Sequence, residues 1–411
     1  MGNSIPENLK KYMMKRFISL VILYFPLLLL GQTKGLKLGE TMTFPAMSPV
    51  IRNASPTLVW DSVKSDLIIL DFLMTSCSSC IEALPKNQKL QQLFGDRIKI
   101  VPVTFEKKEQ VERFWNKNDY TKSNTLPVVV EDRDLKNLFP HQGVSHLVWI
   151  RNNKVLAITA GDMLTEKNIL QALSSDDLKE WPIKDDFFVS DTTGNIMGDG
   201  FYSRFDSYLN GAKLQYALDT VGEQVRFRAV NVTPIPLFLY LYGSIRELPL
   251  MKKERIKLAV ADSTRFIEPT DESQSLWMKN NAFTYESVWP ISMGKEELIN
   301  AIICDLANRL RLNVLLVDLP AEVWQVAKIK KKKNNGGDAK KEGMPLKFWL
   351  TLFEINYPQL PPILIVGNEM ELIETENVSD FDGLRAALKK NNFSLQKTTK
   401  SILSLRITEI R

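Results

Sequence analysis

The sequence predicts an α/β domain followed by a separate α+β region. Three observations carry this reading. The run LIILDF (67–72) is apolar at almost every position, as a strand buried on both faces requires. A helical pattern follows it directly. A second buried-strand run, RIKIVPVTF (97–105), comes next. Strands alternating with helices in this way build a mainly parallel sheet with crossover helices.

The elements follow in order. Residues 36–60 lead in as extended chain. After the first buried strand, Ile81, Leu84, Leu90 and Leu93 fall at helical spacing between Ser78 and Phe94, and Gly95-Asp96 ends that helix. KKEQVERFWNKN (107–118) is a short amphipathic helix, and TLPVVVEDRDLKNLF (125–139) reads as an inserted strand and helix. SHLVWIRNNKVLAITAG (145–161) is two strands joined by an Asn-Asn turn. TEKNILQALSS (165–175) closes the domain as a helix with Thr165 at its N-cap. The domain thus spans 36–176.

The charged, proline-containing stretch DDLKEWPIKDD (176–186) marks a change of character. Residues 186–411 read as an α+β region of two small units with a partner-binding role. A strand near Val225–Asn231 runs into the apolar helix PIPLFLYLYGS. The helix GKEELINAIICDLANRLRL leads to the strand NVLLVDL. The helix DFDGLRAALKKNNF precedes two strands, SLQKTT and ILSLRIT. Cys304, on the apolar side of its helical pattern, is expected to be a buried structural thiol. The lysine-rich stretch KIKKKKNNGGDAKKEG (328–343) is expected to be a solvated loop.

Composition narrows the function classes. The chain has 411 residues, 44% hydrophobic and 25% charged, which gives ample core. Net charge is +5 with both signs interspersed, so nothing marks a nucleic-acid partner. No phosphate-binding loop, dinucleotide-binding glycine pattern or metalloprotease helix is present, and neither cofactor nor metal is expected. Near the start, Lys10, Lys11, Lys15 and Arg16 precede an apolar run from Phe17 to Leu30. That layout predicts that residues 1–31 are a secretory signal peptide or an N-terminal anchor. The run is short against the ~20 residues of a membrane span. The chain is therefore expected to be exported, to the periplasm or to a membrane surface facing it, where disulfides persist.

Of three cysteines, Cys77 and Cys80 sit two residues apart where the first buried strand feeds a helix. Loop closure this short staples little chain, so the pair is better suited to reaction than to stability. At a helix start, free backbone N–H groups and the helix dipole favour a thiolate. Cys77 is then the nucleophile on a disulfide, and Cys80, one turn on, the resolving thiol. Half a zinc site, or an inert pair, are the other readings of the same spacing.

The stretch LDFLMTSCSSCIEALPKNQKLQQLFGDRIKIVPV (70–103) resembles the TlpA/ResA-type extracytoplasmic thioredoxin-like family, in its Bacteroidetes form. The resemblance covers about residues 36–175 and implies a thioredoxin-like fold with an inserted strand and helix. It implies thiol–disulfide exchange with protein thiol and disulfide substrates in the cell envelope, and an upstream membrane electron donor. Pro85 matches the family's helix-bending proline. Asp71, six residues before Cys77, matches a buried acid that helps deprotonate the resolving thiol. Two positions depart from the pattern. Ser76 stands where the family has tryptophan, and Ser145 where it has a cis-proline. The bond before Ser145 is expected to be trans, because a cis bond before a non-proline residue costs ~2.5–4 kcal/mol. Ser145 and His146 are expected to form the substrate-facing loop. The resemblance places His146 near Cys77, as an imidazolium that steadies the thiolate or as a third ligand completing a metal site. The alternative to an enzyme is a non-catalytic envelope adaptor whose thioredoxin-like domain is degenerate. The C-terminal region vaguely resembles a domain attached to exported Bacteroidetes thioredoxins, and its last helix and strands resemble small units of secretin and TonB-receptor signalling domains.

Overall fold

The structure is a computed structural model that describes residues 35–188, 201–269, 273–329, 343–374, 378 and 380–410. The expected leader (1–31) and most of the lysine-rich loop lie outside the described residues. No helix among those described is long and apolar enough to cross a membrane. The chain divides into two compact units. One comprises Met1–Ile196, Tyr208–Leu214 and Thr270–Asn280; the other comprises Met197–Ser207, Gln215–Pro269 and Asn281–Arg411.

The first unit is built on a seven-stranded sheet. Its strands are β1 (Met47–Ile51), β2 (Thr57–Val59), β3 (Leu67–Phe72), β4 (Ile98–Val103), β5 (Val128–Val129), β6 (His146–Arg151) and β7 (Lys154–Thr159). They lie in the order β2-β1-β5-β4-β3-β6-β7. The helices are α1 (Ser78–Phe94), α2 (Lys108–Lys117), α3 (Asp134–Leu138) and α4 (Glu166–Ser174). β3 and β4 are parallel, as the crossover through α1 demands, while β6 runs antiparallel to β3 and turns back into β7. A central β4-β3-β6-β7 sheet with the βαβ unit first and the hairpin and helix last is the thioredoxin-like fold. β5 and α3 are the insert.

Local chemistry explains the boundaries. Every residue of β3 is buried, because the sheet is covered on both faces. Leu67 and Ile69 share one face with Leu90 and Phe94 of α1, and Ile68, Leu70 and Phe72 pack with Phe139 on the other. Asn152 and Asn153 both take positive φ, 51° and 57°, as the tight turn between β6 and β7 needs. The Thr165 hydroxyl caps α4 by accepting from Asn168 N–H. Gly95, at φ 56°, ends α1. α1 continues unbroken past Pro85, and Leu93 is 61% exposed, so it is not a core position. Asn87 takes its place on the buried face, with Cys80, Ile81, Leu84, Leu90 and Phe94.

In the second unit, two four-stranded sheets are described. The strand Gln224–Val232 feeds the helix Pro234–Ile245, and the helix Lys295–Leu310 feeds the strand Leu312–Lys328. That last strand is 17 residues long and pairs along its whole length with a second of equal length, Phe393–Glu409. The expected pair SLQKTT and ILSLRIT is thus one strand. NVLLVDL likewise continues through Pro320, where the strand has a neighbour on one side only and a proline is tolerated. Cys304 is exposed, not buried; the covered face of its helix is Leu298, Ile299, Ile302, Ile303 and Leu306.

Candidate active site

Cys77 is the N-cap of α1 and Cys80 lies in its first turn. Their Cα atoms are 5.3 Å apart and the two are joined by a disulfide. They differ in access. Cys77 is half-buried, between exposed Ser76 and Ser78, whereas Cys80 is 3% exposed and packs with Ile81, Leu84 and Val130. At Cys77 Sγ, the Cys80 N–H donates at 3.4 Å and the Ser79 hydroxyl lies at 3.6 Å.

The chain entering the dithiol is held from a distance. Glu106 accepts from Thr75 N–H at 2.8 Å and from the Thr75 hydroxyl at 2.6 Å, and also binds Thr104 and Gln110. Thr75 is two residues before Cys77. Sequence reasoning missed Glu106, which sits in the β4–α2 connection with no local pattern to mark it.

Asp71 is 3% exposed, on the sheet face that α1 covers. Asn87 Nδ2 donates to its Oδ2 at 3.0 Å, and the Ser145 hydroxyl donates to its Oδ1 at 3.2 Å. Burial pushes the carboxyl up to about 7, against the lowering effects of the Ser145 bond, the Lys86 charge and the Asn87 bond. Asn87 Oδ1 is buried without a partner. The amide therefore has an acceptor in reserve, which it can present by turning over when Asp71 carries a proton. A polar residue at a core position of α1, seven residues after Cys80, was the signal in the sequence.

The Val144–Ser145 bond is cis, correcting the expectation of trans. Both sides of it are fixed by packing: Val144 lies against the cluster containing Cys77 and Cys80, and Ser145 is bonded to Asp71. Gly161 backs Ser145, and any side chain there would collide with it. Ser145 thus faces the site, and it does so through Asp71.

His146 does not join the dithiol. It pairs with Phe72, and alternation along β3 puts Phe72 and Asp71 on opposite faces of the sheet. The His146 ring is therefore on the face away from α1. It is 3% exposed, stacks on His141 at 4.6 Å, and has Lys184 Nζ 3.3 Å from its Nδ1. Burial, with the Lys184 and His141 charges, pushes it down to about 3, so it is neutral, not an imidazolium. Among the described residues no group of three or more His, Cys, Asp or Glu side chains could hold a metal ion.

No family model matches the chain, and no curated protein does. Among solved structures it is similar to a DsbE-type thiol:disulfide interchange protein from Chlorobium tepidum, at 20% identity and TM-score 0.29, covering 34% of this chain and 99% of that one. It is also similar to the thioredoxin domain of a thiol-disulfide oxidoreductase from Bacteroides vulgatus, at 17% and 0.28, with coverage of 34% and 99%. A thioredoxin-like protein from Aeropyrum pernix matches at 14% and 0.26, covering 31% and 87%. The fold assignment rests on the strand order and connectivity described above.

Proposed function

We propose that the chain is an exported thiol–disulfide oxidoreductase acting on protein substrates of the cell envelope. The observation that carries this reading is the asymmetry of the pair: an accessible Cys77 capping a helix, and a buried Cys80 bonded to it. In the reduced protein, the Cys77 thiolate attacks a substrate disulfide. A Cys77–substrate disulfide forms and one substrate thiolate leaves. Deprotonated Cys80 then attacks Cys77 Sγ, closing the Cys77–Cys80 disulfide and releasing the second substrate thiolate. The substrate gains two electrons and the protein dithiol loses two. A dithiol donor must return them for the next turn. Asp71, with a proton affinity near neutrality, is suited to take the Cys80 proton. Ser79 and the Cys80 N–H are donors for the Cys77 thiolate.

The test is trapping. In cells expressing the full chain, Cys80→Ser should accumulate mixed disulfides through Cys77, and Cys77→Ser should not. Equal capture by the two variants overturns the exchange mechanism and leaves the adaptor reading, which Ser76 favours.

A further inference from the structure

The loop 141–145 carries both Val144, packed against the apolar cluster that includes Cys80, and Ser145, bonded to Asp71. What holds the loop comes from beyond the last helix of the thioredoxin-like fold. Asp186, whose side chain is 5% exposed, accepts through Oδ2 from Gln142 N–H at 2.8 Å and from Gly143 N–H at 2.9 Å. The same oxygen accepts from Lys184 Nζ at 2.8 Å, and Oδ1 faces Lys213 Nζ at 3.3 Å. Lys184 closes the clasp by donating to Gly143 O at 2.8 Å. Every one of these residues belongs to the first unit.

We propose that Asp186 is a positioning residue for the dithiol chemistry: it fixes the loop so that Ser145 keeps its hydrogen bond to Asp71. The proposal deepens the oxidoreductase reading and rests on it for its meaning, though not for its test.

A surface loop is ordered only if its contacts outweigh its conformational entropy, and two adjacent N–H groups on one carboxylate are charge-assisted contacts. Burial alone would raise the Asp186 carboxyl. The Gly143, Lys184 and Gln142 bonds and the Lys184 charge outweigh burial and hold it well below the ordinary carboxylate range. The clasp is therefore charged at all physiological pH. Without it, Gln142 and Gly143 lose their common acceptor and the loop slackens beside Ser145. Asp71 then loses a donor that favours its ionised form, while Asn87 and the Lys86 charge remain. The charged and titratable groups around the clasp are Lys184, Lys213, His141 and His146; beside Asp71 stands Lys86, with Asp162 behind it.

The experiment titrates the Asp71 carboxyl in the reduced full-length chain by carbon-13 NMR, which needs no turnover. Ser145→Ala should move its midpoint up by ~0.5–1 unit, the size of one lost hydrogen bond to a carboxylate. Asp186→Ala should move it in the same direction, and the double variant no further than the larger single shift, because both act on one contact. Asp186→Asn, which keeps the size and removes the charge, should give a smaller shift of the same sign, and it carries the test if the alanine variant does not fold. Additive shifts, or an Asp186 variant with an unchanged midpoint beside a shifted Ser145→Ala, overturn the proposal. So does an unshifted Ser145→Ala. Trapping by Cys80→Ser reports on the oxidoreductase reading separately.

Discussion

Asp71 is costly to the fold when it is ionised. Its carboxyl is raised from an ordinary 3.8 to about 7 by burial. Between those values the folded chain keeps a proton that the unfolded chain has lost. Stability should therefore fall as pH rises from about 4 to about 7, then level off. At ~1.4 kcal/mol per unit, the loss by pH 8 is up to ~4 kcal/mol. Asp71→Asn removes the titrating group, and its amide N–H can be received by the free Oδ1 of Asn87. The variant should match wild type in urea unfolding at about pH 3.5, where both states of wild type are protonated, and exceed it by up to ~4 kcal/mol at pH 8. The same pH dependence in both proteins would show that the carboxyl is not desolvated. A residue retained at such a cost to the resting fold is consistent with a role in proton transfer.

At the scale of the element, α1 is where sequence and structure agree best and where their differences are most informative. Strand, dithiol and helix were legible because they obey local rules: a doubly buried strand is apolar throughout, and a helix start favours a thiolate. The buried face was read one position wrong. Leu93 looked like core by hydropathy, whereas Asn87 is the buried residue because its amide has Asp71 to bond. Glu106 and Asp186 were not legible at all, since each holds its loop from far along the chain. The face of His146 was hidden for a related reason: register between β3 and β6 decides it, and register is a pairing property. Glu106 makes a testable case. Its two bonds to Thr75 fix the approach to Cys77. Glu106→Ala should slow attack of Cys77 on a model disulfide several-fold, whereas Glu106→Gln, which keeps one acceptor, should slow it less. Stopped-flow rates on the reduced full-length protein decide this; equal rates in all three proteins would make Glu106 a bystander.

At the scale of the molecule, the stretch 176–186 was read as a boundary because it is charged and contains Pro182. It behaves as part of the first unit. Leu178 and Trp181 join the core beneath α4, with Trp181 against Trp149 at a ring separation of 4.9 Å, and its indole N–H donates to Gln171. Composition averages over a window and so misses two apolar anchors among acids and lysines. Losing a buried tryptophan costs ~3–5 kcal/mol. A fragment of residues 35–188 should therefore exceed one of 35–176 in urea stability by at least ~3 kcal/mol. If the shorter fragment is equally stable, the Trp181 segment is only an appendage.

The segment Thr270–Asn280 of the first unit has a consequence for synthesis. Ser273 and Ser275 both bond Asp162, next to the Gly161 that backs Ser145, and Leu276 packs on the same core as Trp181. Two stretches of the other unit, Met197–Ser207 and Gln215–Pro269, are translated before these residues appear. A nascent chain therefore reaches its dithiol early and finishes the scaffold around it late. The ribosome must add about two hundred residues beyond Cys80 before Asp162 has its partners Ser273 and Ser275.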